Sequence, residues 1–325
     1  MAMAANKRIG SALLTALLLA GCQGKNEDAP SSPLADLPPS ENAPVPDQYE
    51  ALVSRLLSDF LDEGMPISRN GDEIDERGDS ALFSGLAIGV LSCEDGASIF
   101  RAVADNITSH DGRIHRHPAL DRVDTSRDAM IGTAFGLVMR WRRCPEDREA
   151  IAALWSLHRD YVTGLGNGRL YPGAGEDKQI NGGLWWLWDR VANFFGITGD
   201  APRVSKDRFE TDMIATASGT VAAKQPCYPL HLNMLQMITA YAINSPVSSF
   251  SRLSWCQATR GTGVPMIEYW CEREPAQRWL AEYSPESSGY SYRHQRCKWE
   301  SDERPRIGPA LDYLLLRGLA THQIF

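Results

Sequence analysis

Two kinds of apolar segment alternate along this chain, and that alternation limits the folds open to it more than any other feature. Residues 81–91 and 129–141 are apolar or small nearly all round, with Gly85, Gly89, Gly132 and Gly136 permitting close approach of a neighbouring helix. Residues 182–197, 230–243 and 307–320 have the same character. Between them lie one-sided segments. Tyr49, Leu52, Val53, Leu56, Leu57, Phe60 and Leu61 recur at the three-and-four spacing of one helix face, after a capping box of Asp47 and Glu50 and before a stop at Gly64. Ile99, Phe100, Val103 and Ile107 form a second such face, Ile151, Leu154, Trp155, Tyr161 and Val162 a third, and Phe209, Met213, Ile214, Ala217 and Val221 a fourth. Period-two alternation rich in β-branched residues is nearly absent, so the chain is expected to be all-α. A closed ring of helical hairpins requires this pattern, because inner helices touch neighbours on both flanks while outer helices face water. A stacked solenoid also alternates but needs a fixed short repeat, and none is found. Residues 245–304 are polar, marked by Pro and not assigned.

The N-terminus reads as an export signal. Lys7 and Arg8 supply its charge, and residues 9–20 form an apolar stretch too short to span a bilayer. Leu19, Ala20, Gly21 and Cys22 then resemble the bacterial lipobox, which implies cleavage before Cys22 and acylation of its thiol. Residues 1–21 are thus expected to be a lipoprotein signal peptide. Each buried methylene of the acyl chains would add about 0.8 kcal/mol of attachment to a lipid bilayer. By the same resemblance, Gln23 in place of Asp favours a lipid-anchored envelope protein of the outer membrane. Residues 22–46 are rich in Pro, Ser, Ala, Asn and acidic side chains and read as a disordered tether, able to reach about 75 Å if extended. Residues 47–325 remain for a folded domain.

That domain holds all nine Trp of a chain that is 43% hydrophobic, enough for a substantial core. The formal charge of −8 becomes −10 once Lys7 and Arg8 leave with the signal, which argues against nucleic acid as a partner. Six cysteines remain after Cys22: Cys93, Cys144, Cys227, Cys256, Cys271 and Cys297. An even number in an exported chain points to disulfides, with 15 possible pairings. Cys93 with Cys144 is the preferred pair, since each follows a similar buried segment.

Two of the buried segments begin alike. Gly78-Asp79-Ser80-Ala81-Leu82-Phe83-Ser84-Gly85-Leu86 corresponds to Ser126-Arg127-Asp128-Ala129-Met130-Ile131-Gly132, followed by Gly136-Leu137, and the aspartates lie 49 residues apart, about one helical hairpin. This resembles the (α/α) toroid superfamily of six-hairpin glycosidase-like domains. Residues 290–296 with 307–314 resemble the closing segment of toroid-like bacterial proteins. Five inner helices are found where the family ring has six, so the sixth falls in 245–304 or is missing. The resemblance implies a site where inner-helix starts converge and a polysaccharide as ligand. Asp79 and Asp128 would be its catalytic carboxylates, one protonating the leaving oxygen and one activating water or attacking. The competing reading makes both aspartates helix caps, whose ionised form the backbone N–H groups would favour, suiting a base better than an acid.

Other candidates accompany the pair. Arg127 would hold an anionic sugar, Trp185 with Trp186 and Trp188 offers either a sugar platform or core, and His231 faces the same mouth or is a satisfied core histidine. Tyr292, His294 and Arg296 alternate, so in an extended segment they would project together and suit elimination beside a sugar carboxylate, or else close the last hairpin. His115 and His117, near Asp111, Asp121 and Asp124, form a loop that reads as solvated rather than metal-binding. No cofactor motif is found, Ser80 and Ser84 lie in no GxSxG elbow, and no metal is expected. Hydrolysis stands ahead of elimination, and a non-catalytic binding or scaffold module of the envelope is the alternative.

Overall fold

A computed structural model describes residues 48–70, 73–121, 125–166, 168–173, 179–180, 182–198, 204–272, 276, 280, 297–300 and 310–321. The signal, Cys22, the tether and Asp47 lie outside these residues, as do Tyr292, His294 and Arg296. The described part is mostly helical, with eleven α-helices: α1 (Tyr49–Asp59), α2 (Ser80–Val90), α3 (Ala97–Ser109), α4 (Arg127–Arg143), α5 (Arg148–Leu165), α6 (Gly182–Phe194), α7 (Lys206–Ala222), α8 (Tyr228–Ala242), α9 (Ser249–Ala258), α10 (Pro265–Trp270) and α11 (Leu311–Ala320). None of these is long and apolar enough to cross a membrane.

The two classes of helix differ in burial as their compositions require. Every residue of α2 is buried, as are twelve of α4 from Ala129 to Arg140, whereas α3 buries only Ile99, Phe100, Val103, Asn106 and Ile107 along one face. Residues 182–197 divide: α6 is buried all round from Gly183 to Trp188, then turns Arg190 and Asn193 to solvent and ends at Phe194. Residues 245–304 contain α9 and α10. In α9 only Ser251 and Trp255 are buried, too few for a periodic signal, while α10 has Pro265 in its first turn and no exposed residue.

Gly64 does more than stop α1. Strands β1 (Leu61–Asp62) and β2 (Met65–Pro66) pair antiparallel across Glu63 and Gly64, whose φ values of 50° and 77° suit a two-residue hairpin turn. A second hairpin joins β3 (Ser68–Asn70) and β4 (Glu73–Glu76). Strands of two to four residues leave almost no alternation to read. The first helix also differs from expectation at its start, because Gln48 occupies the N-cap position and makes no side-chain cap.

The tightest packing is between α2 and α4, which run parallel. A Cβ placed on Gly85 would lie 2.0 Å from the Gly132 carbonyl oxygen, and one on Gly136 would lie 2.3 Å from that of Gly85. The backbones therefore touch, which only glycine permits. Just past both helix ends Cys93 and Cys144 form a disulfide, with Cα atoms 5.7 Å apart. Cys227 pairs with Cys297 and Cys256 with Cys271. On its other side α4 packs against α8, and α11 packs against α2.

Three arginines in the last turn of α4 satisfy carbonyls that its neighbours leave unpaired. Arg143 donates to Ile88 and Gly89 oxygens at 3.0 and 2.8 Å, Arg140 to the Cys93 oxygen at 3.0 Å, and Arg142 to the Ala242 oxygen at 2.6 Å. Burial pushes the Arg143 guanidinium down to about 10, which leaves it charged at neutral pH against the negative end of α2. This collar aligns the C-terminal ends of α2, α4 and α8 and leaves the opposite ends for chemistry.

Candidate functional site

At the N-terminal end of α4, Ser126 occupies the cap position and accepts a hydrogen bond from the Ala129 N–H at 3.1 Å. Asp128, two residues on, is thereby relieved of capping. Asp79 stands at the cap position of α2 yet makes no side-chain cap bond, because the Ala81 N–H goes instead to the Arg116 carbonyl at 3.0 Å. The helix-cap reading therefore describes neither aspartate.

The two carboxylates act on each other. Removal from water pushes the Asp128 carboxyl above the usual carboxylate range, and the negative charge of Asp79 pushes it further the same way. The Tyr228 hydroxyl, turned toward Asp128, and the Arg116 and Arg127 guanidinium groups oppose this without cancelling it. The shift is opposite to the one a capping role implies. The Asp128 carboxyl is thus pushed upward beside a second carboxyl group, the kind of asymmetric pair from which acid and base roles separate.

Tyr228 opens α8, and one turn later His231 lies on the same side of that helix. His231 is buried, with Nε2 3.8 Å from the Asp312 Oδ1 in the first turn of α11. Asp128 thus interacts with Asp79, Tyr228, Arg116 and Arg127 at the starts of α2, α4 and α8, and the His231–Asp312 contact adds a second polar group where α8 and α11 begin. The beginning of α8 is itself pinned. Glu300 Oε2 accepts from the Cys227 and Cys297 N–H groups at 3.1 and 2.8 Å, beside the disulfide that joins those residues.

Arg127 is exposed at the first position of α4. Trp185 sits elsewhere: it is buried, edge-on to Trp188 at 5.0 Å between ring centres, and closes over Gly168, so its ring is core rather than platform. His115 and His117 are also buried, which corrects the solvated-loop reading. His115 Nε2 lies 2.8 Å from the Leu120 oxygen, while His117 Nε2 lies 3.1 Å from the Asp62 oxygen and its Nδ1 accepts from the Ala119 N–H. Among the described residues, metal-ligating atoms draw together only at Cys93, Cys144 and Glu146 and at Cys227, Cys297 and Glu300, where the sulfurs are bonded to each other.

Models of known protein families, proteins of curated function and solved structures offer no match to this chain. The site thus stands on its geometry. Three of its members were not singled out from the sequence. Asp312 carried a usable signal, an acidic residue opening an apolar helix as Asp128 does. Tyr228 and Arg116 carried none, since their places depend on which helix starts the fold assembles. A groove of about 460 Å³ runs along one face of α3, lined by Ser98, Arg101, Asp105, Asn106 and Glu63, and contains none of the site residues.

Proposed function

We propose that this is a lipid-anchored envelope protein whose helical domain is an (α/α) toroid that binds and hydrolyses a polysaccharide at the cluster of helix starts. The observation that carries the reading is the Asp79–Asp128 pair: two carboxylates at the starts of adjacent parallel helices, each within the other's field and neither engaged as a cap. Glycoside hydrolysis needs one carboxyl group that retains a proton for the leaving oxygen and one carboxylate that activates water or attacks the anomeric carbon. Asp128, whose carboxyl burial and Asp79 push above the usual carboxylate range, takes the first role, and Asp79 takes the second. Arg127, exposed beside the pair, would engage an anionic sugar, and His231 would orient ligand from α8. The lipobox-like Leu19-Ala20-Gly21-Cys22 supports the anchor.

The test incubates residues 47–325 with a panel of neutral and acidic polysaccharides and scores reducing ends and unsaturated products. Reducing ends without unsaturation are expected from at least one glycan, with loss in Asp79→Asn and in Asp128→Asn. Unsaturated products would replace hydrolysis by elimination. A non-catalytic binding module is favoured by the position of the α3 groove away from the carboxylates. Glycan binding that yields no product, and that survives both substitutions, would select it.

A further inference from the structure

Arg116, on the loop that follows α3, bears on the start of α2 and on Asp128 in α4. The described residues of this loop are held at several points: the Asn106 amide of α3 donates to the His115 oxygen at 2.8 Å, Thr125 donates to the Ile114 oxygen, His115 lies against the Leu120 oxygen and His117 against the Asp62 oxygen. The loop ends at Ser126, the cap of α4. Midway along it, Arg116 reaches the start of α2 twice. Its carbonyl accepts the Ala81 N–H at 3.0 Å, and its Nη1 donates to the Gly78 oxygen at 3.2 Å, so residues on both sides of Asp79 are held.

We propose that Arg116 is the positioning residue of this site, clamping the α2 start so that Asp79 faces Asp128 and placing a fixed positive charge beside the pair. The inference rests on the reading of Asp79 and Asp128 as the working pair. The half-buried Arg116 guanidinium pulls the Asp128 carboxyl down, against the upward push of burial and of the Asp79 charge. Asp128 is faced by Asp79 from α2, by Tyr228 from α8, by Arg116 from the loop and by Arg127 from its own helix. Of the two cations, Arg116 alone is tied to a neighbouring helix by the bonds just described.

The experiment follows the Asp128 carboxyl by ¹³C NMR across a pH titration of the mature chain with intact disulfides. Arg116→Gln keeps an amide donor for Gly78 but removes the charge, and Arg116→Lys keeps a charge. The Asp128 midpoint is expected to rise by about 0.5 pH units or more in Arg116→Gln and to return near the parent value in Arg116→Lys. A folded Arg116→Gln protein with an unmoved midpoint would overturn the proposal. Should Arg116→Gln fail to fold, Arg116→Met, which removes the charge but keeps the length of the side chain, decides, with a raised Asp128 midpoint in support and an unmoved one in refutation. The titration is read without substrate, so failure to cleave any glycan leaves this inference standing, and an unmoved midpoint removes it even if cleavage is found.

Discussion

Substituting Gly85 by alanine probes the contact on which the site is built. The added Cβ would sit 2.0 Å from the Gly132 oxygen, 2.1 Å from its carbonyl carbon and 2.6 Å from the Thr133 nitrogen. All three are backbone atoms in the middle of α4, so no side-chain rotation relieves the clash. Reaching an ordinary contact of 3.4 Å requires α2 and α4 to separate by about 1.4 Å, and a gap of that size forfeits much of the dispersion along the interface. Overpacking of this kind costs about 3 kcal/mol at the upper end of its usual range, against which alanine returns about 1 kcal/mol of helix propensity. A net loss of about 2 kcal/mol or more is therefore expected. Urea denaturation with disulfides intact reads it as a lower midpoint at unchanged slope. Gly219→Ala on α7 is the control, since nothing lies within 4 Å of its Cβ, and it should gain about 0.5–1 kcal/mol. If Gly85→Ala proves as stable as Gly219→Ala, the backbone contact between α2 and α4 is not as described.

Three further outcomes are expected. Arg143→Met removes both donors to the Ile88 and Gly89 carbonyls and should cost about 2 kcal/mol in the same denaturation assay. Replacing Cys93 and Cys144 together by serine opens a link across 51 residues and should cost up to about 4 kcal/mol by the chain-entropy relation. His158 is buried against the Gly112 oxygen at 2.9 Å, and burial pushes its ring down from 6.5 to about 4. Between those pH values the unfolded chain binds a proton that the folded chain refuses, so stability falls as pH drops through the window and levels off below it. The contribution is about 3 kcal/mol in order of magnitude, and His158→Gln should remove that part of the acid sensitivity in denaturation curves at pH 7, 5.5 and 4.5.

The helices were legible where burial left a compositional mark. All-round apolar segments located α2, α4 and α8, and the spaced glycines of the first two foretold the close approach that Gly85 and Gly132 make. Segments whose order comes from other sources were not legible. The start of α9 is held by Glu210, whose carboxylate accepts from the Ser248 N–H at 2.6 Å and from the Ser248 and Ser251 hydroxyls, and a disulfide ties the helix to Cys271. The aspartates were found because an acidic residue opening an apolar helix stands out. Their mutual effect was not, since Ser126 and Arg116 take over the capping that a sequence assigns by default to Asp. For Trp185 the sequence left platform and core both open, as an indole reads alike whether it lines a cleft or, as here, packs on Trp188.

Coupling between Asp79 and Asp128 is the physical premise of the site, and it is open to direct measurement. The ¹³C carboxyl titration of Asp128 in the parent chain should show a midpoint above the ordinary value of 3.8, and Asp79→Asn should lower that midpoint by removing a neighbouring negative charge. A midpoint at or below 3.8, indifferent to Asp79→Asn, would show two separate helix-end carboxylates and no pair.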